Sequence, residues 1–325
     1  MVAPARHVMG GAQGTSLERG ISVVVPCYNS ERTIGELARE LATVLPRCAG
    51  SYELILVNDG SEDRTWQSIL DLAAQYPWVR GMDLMRNYGQ HNATLCGTRA
   101  ARYDVTVTLD DDLQNPPAEI PKLLARIDEG CDLVYGTPGR RSHSALRNLF
   151  SWLARRAIEM AAGPSTIHSV SSFRAYRTIL REAFADYRSP QLILDVLLGW
   201  STTRVASVTV AHQARVAGRS NYGFLRLWRT LLLLWTGYTT APLRLASWLG
   251  FVFVLFGIAV LGYVLWVYFT QGSLPGFPFL ASTIAIFGGV QLFALGIMGE
   301  YLARLFDRSL DRPTYAVRHE VPQTR

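Results

Sequence analysis

The sequence is short of charge. Only 18% of its 325 residues are Asp, Glu, Lys or Arg, against roughly 25% in an ordinary soluble domain. The shortage is concentrated in one place, because the 55 residues from Leu245 through Gly299 contain no charged side chain. Together with a hydrophobic share of 49%, this pattern excludes a disordered chain, a collagen and a simple soluble enzyme. Part of the protein is predicted to lie in lipid.

Lysine and paired cysteines are also scarce. Lys122 is the only lysine, so the net charge of +6 comes almost entirely from arginine. A basic excess is typical of proteins that meet nucleic acid, an anionic membrane surface or phosphate-bearing substrates. The four cysteines show neither a CxxC pair nor metal-ligand spacing, and we expect reduced thiols that face a reducing compartment. Residues 1–20 have no apolar core segment and are predicted to form a loose tail.

Short apolar runs alternate with helical patterns in the first half of the chain. The predicted strands are Ile21–Pro26, Tyr52–Asn58, Val79–Leu84, Val105–Asp110 and Asp132–Tyr135. The predicted helices are Glu31–Leu45, Thr65–Gln75, Asn92–Ala101 and Ala118–Glu129. This alternation indicates βαβ units and an α/β domain with a mostly parallel, Rossmann-like sheet.

Polar side chains follow three of these strands. Tyr28 and Asn29 come after the first strand, Asp59 after the second, and Asp110 to Asp112 after the fourth. Ligands of parallel α/β sheets sit beyond the carboxyl ends of the strands, so one ligand site is predicted at this edge. Neither G-x-G-x-x-G after the first strand nor G-x-x-x-x-G-K-[ST] occurs, which removes the main support for dinucleotide-redox and P-loop functions.

The stretch LDDDLQNPP, from Leu109 to Pro117, is the most informative. Three adjacent carboxylates repel one another unless a cation neutralises them, and a hard divalent ion such as Mg²⁺ or Mn²⁺ is the natural counter-charge. In an extended segment Asp110, Asp112 and Gln114 would lie on one side and ring one ion. The structural alternative is that the acidic residues and the two prolines mark the first turn of a helix, and both interpretations can hold together.

Asp59, in VNDGSED, has two interpretations. Its carboxylate could accept hydrogen bonds from a ribose or a base, which would make it a nucleotide ligand. Alternatively, Asp59 or Ser61 caps the helix that follows. The motif means little alone, and its weight comes from its place beside the acidic strand end.

Two stretches within the uncharged run are each long enough to cross about 30 Å of hydrocarbon. They are residues 245–269 and 279–299, separated by a connector without Lys or Arg. Because arginines precede the first span and follow the second, the positive-inside rule places both ends and the large domain in the cytoplasm. Residues 223–242 are amphipathic, with two arginines and two tryptophans. They are predicted to lie in the membrane interface, the alternative being a core helix of the soluble domain.

These boundaries predict five segments. They are a flexible tail (1–20), an α/β domain (21–222), a juxtamembrane amphipathic helix (223–242), a two-helix transmembrane domain (243–302) and a cytoplasmic C-terminal tail (303–325). The spans contain small residues that allow close helix packing, although no G-x-x-x-G. Oligomerisation is therefore a hypothesis.

Several motifs occur in a characteristic order along the chain. They are VVVPCYN, VNDGSED, MRNYGQHNA, TLDDDLQNPP, SFRAYR, RVAGRSNYGFLRL and GEYLARL. In this order, from about Ile21 to Arg312, the chain resembles the family-2 glycosyltransferases with a GT-A fold. More closely, it resembles the membrane-anchored polyprenyl-phosphate glycosyltransferases, which include undecaprenyl-phosphate glucosyl- and aminoarabinosyltransferases and, more distantly, dolichyl-phosphate mannose synthase.

The resemblance implies a function. Such an enzyme, dependent on Mg²⁺ or Mn²⁺, transfers a sugar with inversion from a nucleotide diphosphate sugar, with UDP-sugars favoured over GDP-sugars. The acceptor would be a polyprenyl phosphate such as undecaprenyl phosphate, and the lipid-linked product would serve cell-envelope glycan modification. The implied location is the bacterial inner (plasma) membrane. Its partners would be the nucleotide sugar, the lipid and the membrane, without nucleic acid, in a homo-oligomer that the resemblance makes a tetramer.

The resemblance also assigns site residues. The metal and catalytic residues would be Asp110, Asp112 and Gln114. The nucleotide-sugar-binding residues would be Pro26, Tyr28, Asn29, Asp59, Arg86 and Asp111, with the role of Arg86 left open. The acceptor-phosphate-binding residues would be Arg141, Arg147, Arg215, Ser220 and Tyr222, the last three lying near the donor phosphates or the acceptor.

Three positions depart from the family pattern. Ser30 stands where a glutamate is common, Pro138 where an arginine is common, and His168 where an acidic residue is common. The first departure leaves contacts to the base open, and Arg140 or Arg141 could replace the arginine that Pro138 lacks. These changes could mark a different sugar or lipid.

Two other functions remain as alternatives. A processive polysaccharide synthase shares the GT-A core, but it usually carries a Q-x-x-R-W motif and more spans, and no such motif occurs here. A catalytically inert membrane scaffold could also bind nucleotide sugar. The presence of all three metal-side groups argues against that scaffold.

Overall fold

The computed structural model describes residues 19–138, 170–189, 192–213, 240–271 and 276–322. The chain divides into two compact units, one containing the sheet and the other containing two long helices. The predicted juxtamembrane helix at 223–242 lies outside the described residues, apart from its last three positions.

The first unit is an α/β domain. Its strands are β1 (Gly20–Cys27), β2 (Ser51–Asn58), β3 (Val79–Leu84), β4 (Val105–Thr108), β5 (Leu133–Pro138), β6 (Arg174–Arg177), β7 (Val205–Val210) and β8 (Val317–Val321). Its helices are α1 (Ile34–Cys48), α2 (Thr65–Gln75), α3 (Gln90–Ala100), α4 (Ile120–Asp128) and α5 (Leu194–Ser201), with short 3₁₀ helices at Pro117–Glu119 and Thr178–Phe184. The second unit contains α6 (Ala241–Gln271) and α7 (Phe277–Ser309).

The described strands form one sheet in the order β7-β5-β6-β4-β1-β2-β3-β8. β4, β1, β2 and β3 run parallel, β5 and β7 are parallel to each other, and β6 is antiparallel to both of its neighbours. β8 is antiparallel to β3. The predicted mostly parallel α/β sheet is confirmed, and the sequence patterns located its first five strands but not β6, β7 or β8.

The continuous apolar runs follow from a sheet that is covered on both faces. Every residue of β1 is buried. Val23 and Val25 belong to the core that includes α1, α2 and α4, whereas Val24 packs in the core that includes α3. A β-carbon at Gly97 of α3 would lie 2.4 Å from Val24 Cγ1. Only glycine therefore lets α3 approach β1 this closely, and α3 begins beside the site described below.

A buried ion pair joins β6 to α5. The Arg174 guanidinium contacts the Asp195 carboxylate, and both side chains are almost fully buried. Arg174 Nε also donates to Thr108 Oγ1 at 3.1 Å, which ties the pair to the end of β4. A buried charge of this kind is tolerated because its partner and its hydrogen bonds are in place.

The segment after the second long helix differs from the sequence-based expectation. Residues 303–325 were expected to form a tail, but α7 continues to Ser309 and Val317–Val321 form β8 in the sheet of the first unit. Without β8, strand β3 would present unpaired backbone groups at an exposed sheet edge, which proteins usually cover. The sequence could not indicate β8 through a run of apolar residues, because four of the five residues of this strand are exposed.

α6 and α7 are long and apolar enough to cross a membrane. The apolar stretches cover Ala241–Thr270 and Ile286–Ser309, with 6% and 0% of their most hydropathic windows buried in the protein. Core helices of a soluble domain are mostly buried, whereas these two helices are mostly exposed. Phe287 of α7 packs edge-on against Phe253 at 5.8 Å between ring centroids, and its ring lies 3.2 Å from the position of a β-carbon at Gly257.

The Arg174–Asp195 pair gives a stability prediction. Arg174→Met should lower the free energy of unfolding by about 3–5 kcal/mol, because Asp195 is left as an unpaired buried charge. Arg126→Met is the matched control, since its pair with Glu129 is exposed and worth about 0–1 kcal/mol. Thermal unfolding of the detergent-solubilised variants provides the measurement. Equal melting temperatures for the two variants would contradict the assignment.

Candidate active site

The carboxyl ends of β1, β2 and β4 meet at one edge of the sheet. In the strand register Cys27 is opposite Asn58, and Val24 is opposite Thr108. The backbone N–H of Asp59 donates to the Cys27 carbonyl at 2.9 Å. The polar residues that follow these strands therefore share one edge, as the sequence pattern predicted.

The loop after β1 is held by the loop after β2. Asn29 adopts a left-handed backbone with φ of 54°, which asparagine tolerates better than most residues. Its N–H donates to Ser61 Oγ at 3.0 Å, and its side-chain carbonyl accepts from the Glu62 N–H at 2.9 Å. Ser30 N–H donates to Thr65 Oγ1 at 2.7 Å. Tyr28, between the sheet and this clamp, is 48% exposed and available to a ligand.

Asp111 joins the acidic stretch to the same loop. Its Oδ2 accepts from the Tyr28 N–H at 3.3 Å and from the Ser30 hydroxyl. Burial raises the pKa of Asp111, and the hydrogen bond from Ser30 opposes that effect. Ser30, one of the departures from the family pattern, thus has a structural partner. The assignment of Asp111 to nucleotide-sugar binding stays a prediction, since its carboxylate here contacts the loop.

Asp59 is almost fully buried and fixes the loop between β3 and α3. Its Oδ1 accepts from the Tyr88 N–H at 2.7 Å, and its Oδ2 from the Gly89 N–H at 2.9 Å. Burial raises the pKa of Asp59, and these two hydrogen bonds oppose the increase. The capping alternative is wrong, because Arg64 is the N-cap of α2, whereas Asp59 binds the loop before α3 and the Ser61 hydroxyl accepts from Asn29. A carboxylate has further lone pairs, so a nucleotide role remains compatible with these bonds.

Gly60 brings Arg86 to this edge. Gly60 has φ of 65°, and a β-carbon there would lie 2.5 Å from the backbone C of Arg86 and N of Asn87. The close approach places the two loops against each other. The Arg86 guanidinium lies 4.8 Å from the centre of the Tyr88 ring, on the exposed side of the loop. Arg86 is therefore an accessible cation at the edge of the site.

The backbone after β4 is not extended, so the predicted arrangement of Asp110, Asp112 and Gln114 on one side of an extended segment is wrong. β4 ends at Thr108, and the chain turns from Asp111 onward, with Leu113 in a left-handed conformation at φ of 60°. Asp112 Oδ1 accepts from the Gln114 N–H at 3.1 Å. The prolines of the helix-start alternative do mark a helix start, because Pro116 is the N-cap of the 3₁₀ helix Pro117–Glu119, which leads directly into α4. Asp110 to Asp112 precede this helix and lie outside its first turn.

Asp110 is held from two sides. Its Oδ1 accepts from Gln90 Nε2 at 2.5 Å, and its Oδ2 accepts from Ser172 Oγ at 2.5 Å. Burial, reinforced by the charges of Asp112 and Asp111, raises the pKa of Asp110 to about 6, and the Ser172 hydrogen bond opposes this. The carboxylate is thus fixed in place while its negative charge is poorly compensated.

The chemistry of these donors fits a hard divalent cation that the substrate helps to bind. Within the described residues no three His, Cys, Asp or Glu side chains converge on a metal position. Two carboxylates, Asp110 and Asp112, and the amide of Gln114 are all oxygen donors. Mg²⁺ sites typically combine one or two carboxylates with substrate phosphates. Burial and the neighbouring carboxylates raise the pKa of Asp110, and a bound cation would act in the opposite direction.

Gln90 and Ser172 were missed in the sequence analysis. Gln90 stands in the motif MRNYGQHNA, at the start of α3. Ser172 precedes β6, which pairs antiparallel with β4, with Arg174 opposite Thr108. The start of an antiparallel strand lies beside the carboxyl ends of the strands with which it pairs. The proximity of Ser172 to Asp110 could therefore be predicted only once β6 was known to pair with β4.

The remaining predicted residues are less defined. Pro26 is buried within β1, opposite Val57, and its contact with a nucleotide stays a prediction. The predicted acceptor residues lie outside the described residues, and they are Arg141, Arg147, Arg215, Ser220 and Tyr222. His168 and Arg140 lie outside them as well.

The fold and the site together define a class of protein. A mostly parallel sheet whose carboxyl edge combines an acidic cluster with clamped polar loops, followed by two apolar helices, is the arrangement of a glycosyltransferase of the GT-A type with a membrane hairpin. The chain belongs to glycosyl transferase family 2, whose model matches residues 22–187. A second model, described as the GtrB C-terminal hairpin, matches residues 241–305.

Two known proteins illustrate the similarity. The chain is 36% identical over 303 residues to the undecaprenyl-phosphate 4-deoxy-4-formamido-L-arabinose transferase of Shewanella sediminis (strain HAW-EB3), and the match covers 91% of each chain. Its fold is similar to that of glucosyl-3-phosphoglycerate synthase from Mycobacterium tuberculosis, solved in complex with Mn²⁺ and UDP-glucose. That similarity has a TM-score of 0.51 at 19% identity, and it covers 71% of this chain and 83% of the other.

The contact between Ser172 and Asp110 gives a prediction for metal binding. Ser172→Ala should weaken Mn²⁺ binding about 10- to 100-fold, because Asp110 loses the hydroxyl that orients it. The neighbouring Ser171→Ala is the control, since the Ser171 hydroxyl accepts from the Phe173 N–H. Electron paramagnetic resonance titration of the purified protein with Mn²⁺ measures the affinity. Identical affinities in both variants would remove Ser172 from the site.

Proposed function

We propose that this protein transfers a sugar from a nucleotide diphosphate sugar, a UDP-sugar in preference to a GDP-sugar, to undecaprenyl phosphate. The observation that carries the proposal is the acidic edge at Asp110 and Asp112, which adjoins the clamped loops of Tyr28 and Asp59. The Shewanella relative, matched over nine-tenths of both chains, is named for transfer involving undecaprenyl phosphate. The hairpin family match adds a membrane anchor suited to a lipid acceptor.

We infer that Asp110, Asp112 and Gln114 hold Mg²⁺ or Mn²⁺ together with the donor diphosphate. When bound, such an ion screens the charge that develops on the departing nucleoside diphosphate. Gln90 and Ser172 keep Asp110 oriented for this role. The mycobacterial structural neighbour, which shares the fold, was crystallised with Mn²⁺ and UDP-glucose.

The acceptor supplies its own nucleophile. The second pKa of a phosphate monoester is about 6, so it is largely dianionic at neutral pH. One of its oxygens attacks the anomeric carbon while the bond from that carbon to the diphosphate oxygen breaks, and the configuration inverts. Because no proton has to be removed from the acceptor, a strong general base is unnecessary. The protein's contribution is to position the two anionic substrates and to screen their charge.

The acceptor phosphate needs cationic side chains. We propose Arg141 and Arg147 for it, with Arg215, Ser220 and Tyr222 near the donor phosphates or the acceptor. Their places in the sequence motifs support this assignment. Arginine suits the role because its planar guanidinium binds phosphate in a bidentate manner.

The membrane arrangement is part of the proposal. The arginines that flank both spans favour a cytoplasmic catalytic domain with both termini on the same side of a bacterial inner membrane. A homo-oligomer, proposed as a tetramer, is supported by glycines on the hairpin with open space around them. They are Gly250, Gly262, Gly288, Gly289, Gly296 and Gly299. Gly257, by contrast, is used in packing within the hairpin.

A transfer assay tests the function. Purified protein with Mn²⁺ or Mg²⁺, undecaprenyl phosphate and a panel of radiolabelled UDP- and GDP-sugars should yield one metal-dependent, mild-acid-labile lipid. The panel includes UDP-4-deoxy-4-formamido-L-arabinose, because the Shewanella relative is named for that sugar. Chelation by EDTA should abolish the product, and added Mn²⁺ should restore it.

Other products would point to the alternatives. Several sugars on one lipid, or a free polymer, would indicate a processive synthase. Donor binding without any product would favour the inert scaffold. In either case the proposed single transfer would be wrong.

Asp112 gives a sharper test. Asp112→Asn should reduce kcat at least about 100-fold, because removal of a charge-stabilising group in a transition state costs about 10²–10³ in rate. Asp71→Asn, on the exposed face of α2, is the matched control and should retain full activity. Unaltered turnover by folded Asp112→Asn protein would refute the metal assignment.

A further inference from the structure

The segment from Thr314 to Val321 lies outside both family matches, which end at residues 187 and 305. It contains β8, paired with β3 from Gly81 to Leu84. Beyond this ladder, the Met85 N–H donates to the Ala316 carbonyl at 2.9 Å. The segment therefore reaches past the end of β3 to the first residue of the loop that leads to α3.

Arg318 completes this contact. Its Nη2 donates to the Met85 carbonyl at 3.0 Å, and its Nη1 lies 3.8 Å from Asp83 Oδ2. Both backbone polar groups of Met85 are thus bound by the C-terminal segment, although the Met85 side chain is itself exposed. The loop is fixed at this end through its backbone rather than through packing of its side chain.

The other end of the same loop is held by the candidate active site. We call residues Met85–Gly89 the donor loop. Asp59 binds the N–H groups of Tyr88 and Gly89, and Gly60 packs against the backbone between Arg86 and Asn87. Arg86 therefore lies between two anchors, one from the nucleotide edge and one from the C-terminal segment.

The C-terminal segment has firm anchors of its own. Arg80 is 4% exposed and donates to Glu53 at 2.7 Å and to Glu320 of β8 at 2.9 Å. The buried Arg80 charge thus has two carboxylate partners, the fully buried Glu53 and Glu320 of β8. Tyr315 lies under the Arg99 guanidinium at 5.7 Å, which attaches the segment to α3. Arg318 is thus presented to Met85 from a fixed support.

We propose that Arg318 is a positioning residue for donor binding. Through Met85 it holds the donor loop in the conformation in which Arg86 meets the nucleoside diphosphate, so a residue that follows the membrane hairpin in sequence determines donor affinity. This inference rests on the proposed function, because it takes the nucleotide sugar as the ligand of that edge. A strand that only covered the β3 edge would need β8 pairing but not the contact from Arg318 to the Met85 carbonyl.

Direct binding of UDP to the full-length protein tests the inference apart from catalysis. Arg318→Ala should weaken UDP binding in calorimetry about tenfold, in line with the loss of a hydrogen bond from a charged group. In the transfer assay the donor KM should rise by the same factor, while kcat and the KM for undecaprenyl phosphate stay within about twofold. Arg318→Lys should recover part of the affinity, since an ammonium can still donate to the Met85 carbonyl. His319→Ala, an exposed change on the same strand, is the control and should bind UDP as the wild type does.

Every other result contradicts one of the two proposals. Wild-type UDP affinity in folded Arg318→Ala protein would overturn the inference, as would a parallel loss of kcat and of acceptor affinity, which indicates general damage. If Arg318→Ala fails to fold, Arg86→Ala is the second variant, and wild-type UDP affinity in folded Arg86→Ala protein would overturn the inference too. Wild-type protein that binds UDP without transferring any sugar would refute the proposed function alone, and wild-type protein that does not bind UDP would refute both.

Discussion

Three consecutive carboxylates at one strand end repel one another, and the arrangement of the site follows from how each of them is satisfied. Asp110 is bound from α3 and from the segment before β6. Asp111 is bound by the loop after β1, and Asp112 by the N–H of its own turn. Because each side chain is directed to a different element, the cluster gathers three parts of the chain around one point. The charge that the hydrogen bonds leave uncompensated is what a divalent ion and a diphosphate would share.

Asp59 shows the opposite use of a carboxylate. It is a single buried group that organises a loop by accepting two backbone N–H bonds, and the left-handed Gly60 beside it lets the loop approach. The loop is therefore determined by groups that are distant from it in sequence: the turn after β2 and the segment after α7. The geometry of the candidate donor-binding site therefore depends on tertiary contacts with elements that carry no catalytic group.

The sequence predicted the parts that local patterns encode. Apolar β-branched runs located β1 to β5, and α2 and β3 have the predicted bounds. The patterns missed β6, β7 and β8. β6 and β8 are strands of four and five residues, which carry little periodicity, and only one residue of β7 and none of β8 is buried. They also predicted extended backbone after β4, where the left-handed conformation of Leu113 has no glycine or asparagine to signal it. Hydrogen bonds between remote residues, such as that from Ser172 to Asp110, become predictable only once the strand order is known.

The preference for arginine over lysine suits a site that binds anionic groups. In the proposed reaction the acidic cluster, the donor diphosphate and the acceptor phosphate are all anionic, so bringing them together requires cations that stay charged. Burial lowers the pKa of a lysine and can neutralise it, whereas arginine remains protonated. The described domain already shows this property, since Arg80 and Arg174 are buried and are each paired with a carboxylate. A cation that keeps its charge without solvent can serve both as a structural partner inside the sheet and as a phosphate ligand at its edge. The same residue type therefore suits the support and the chemistry of the site.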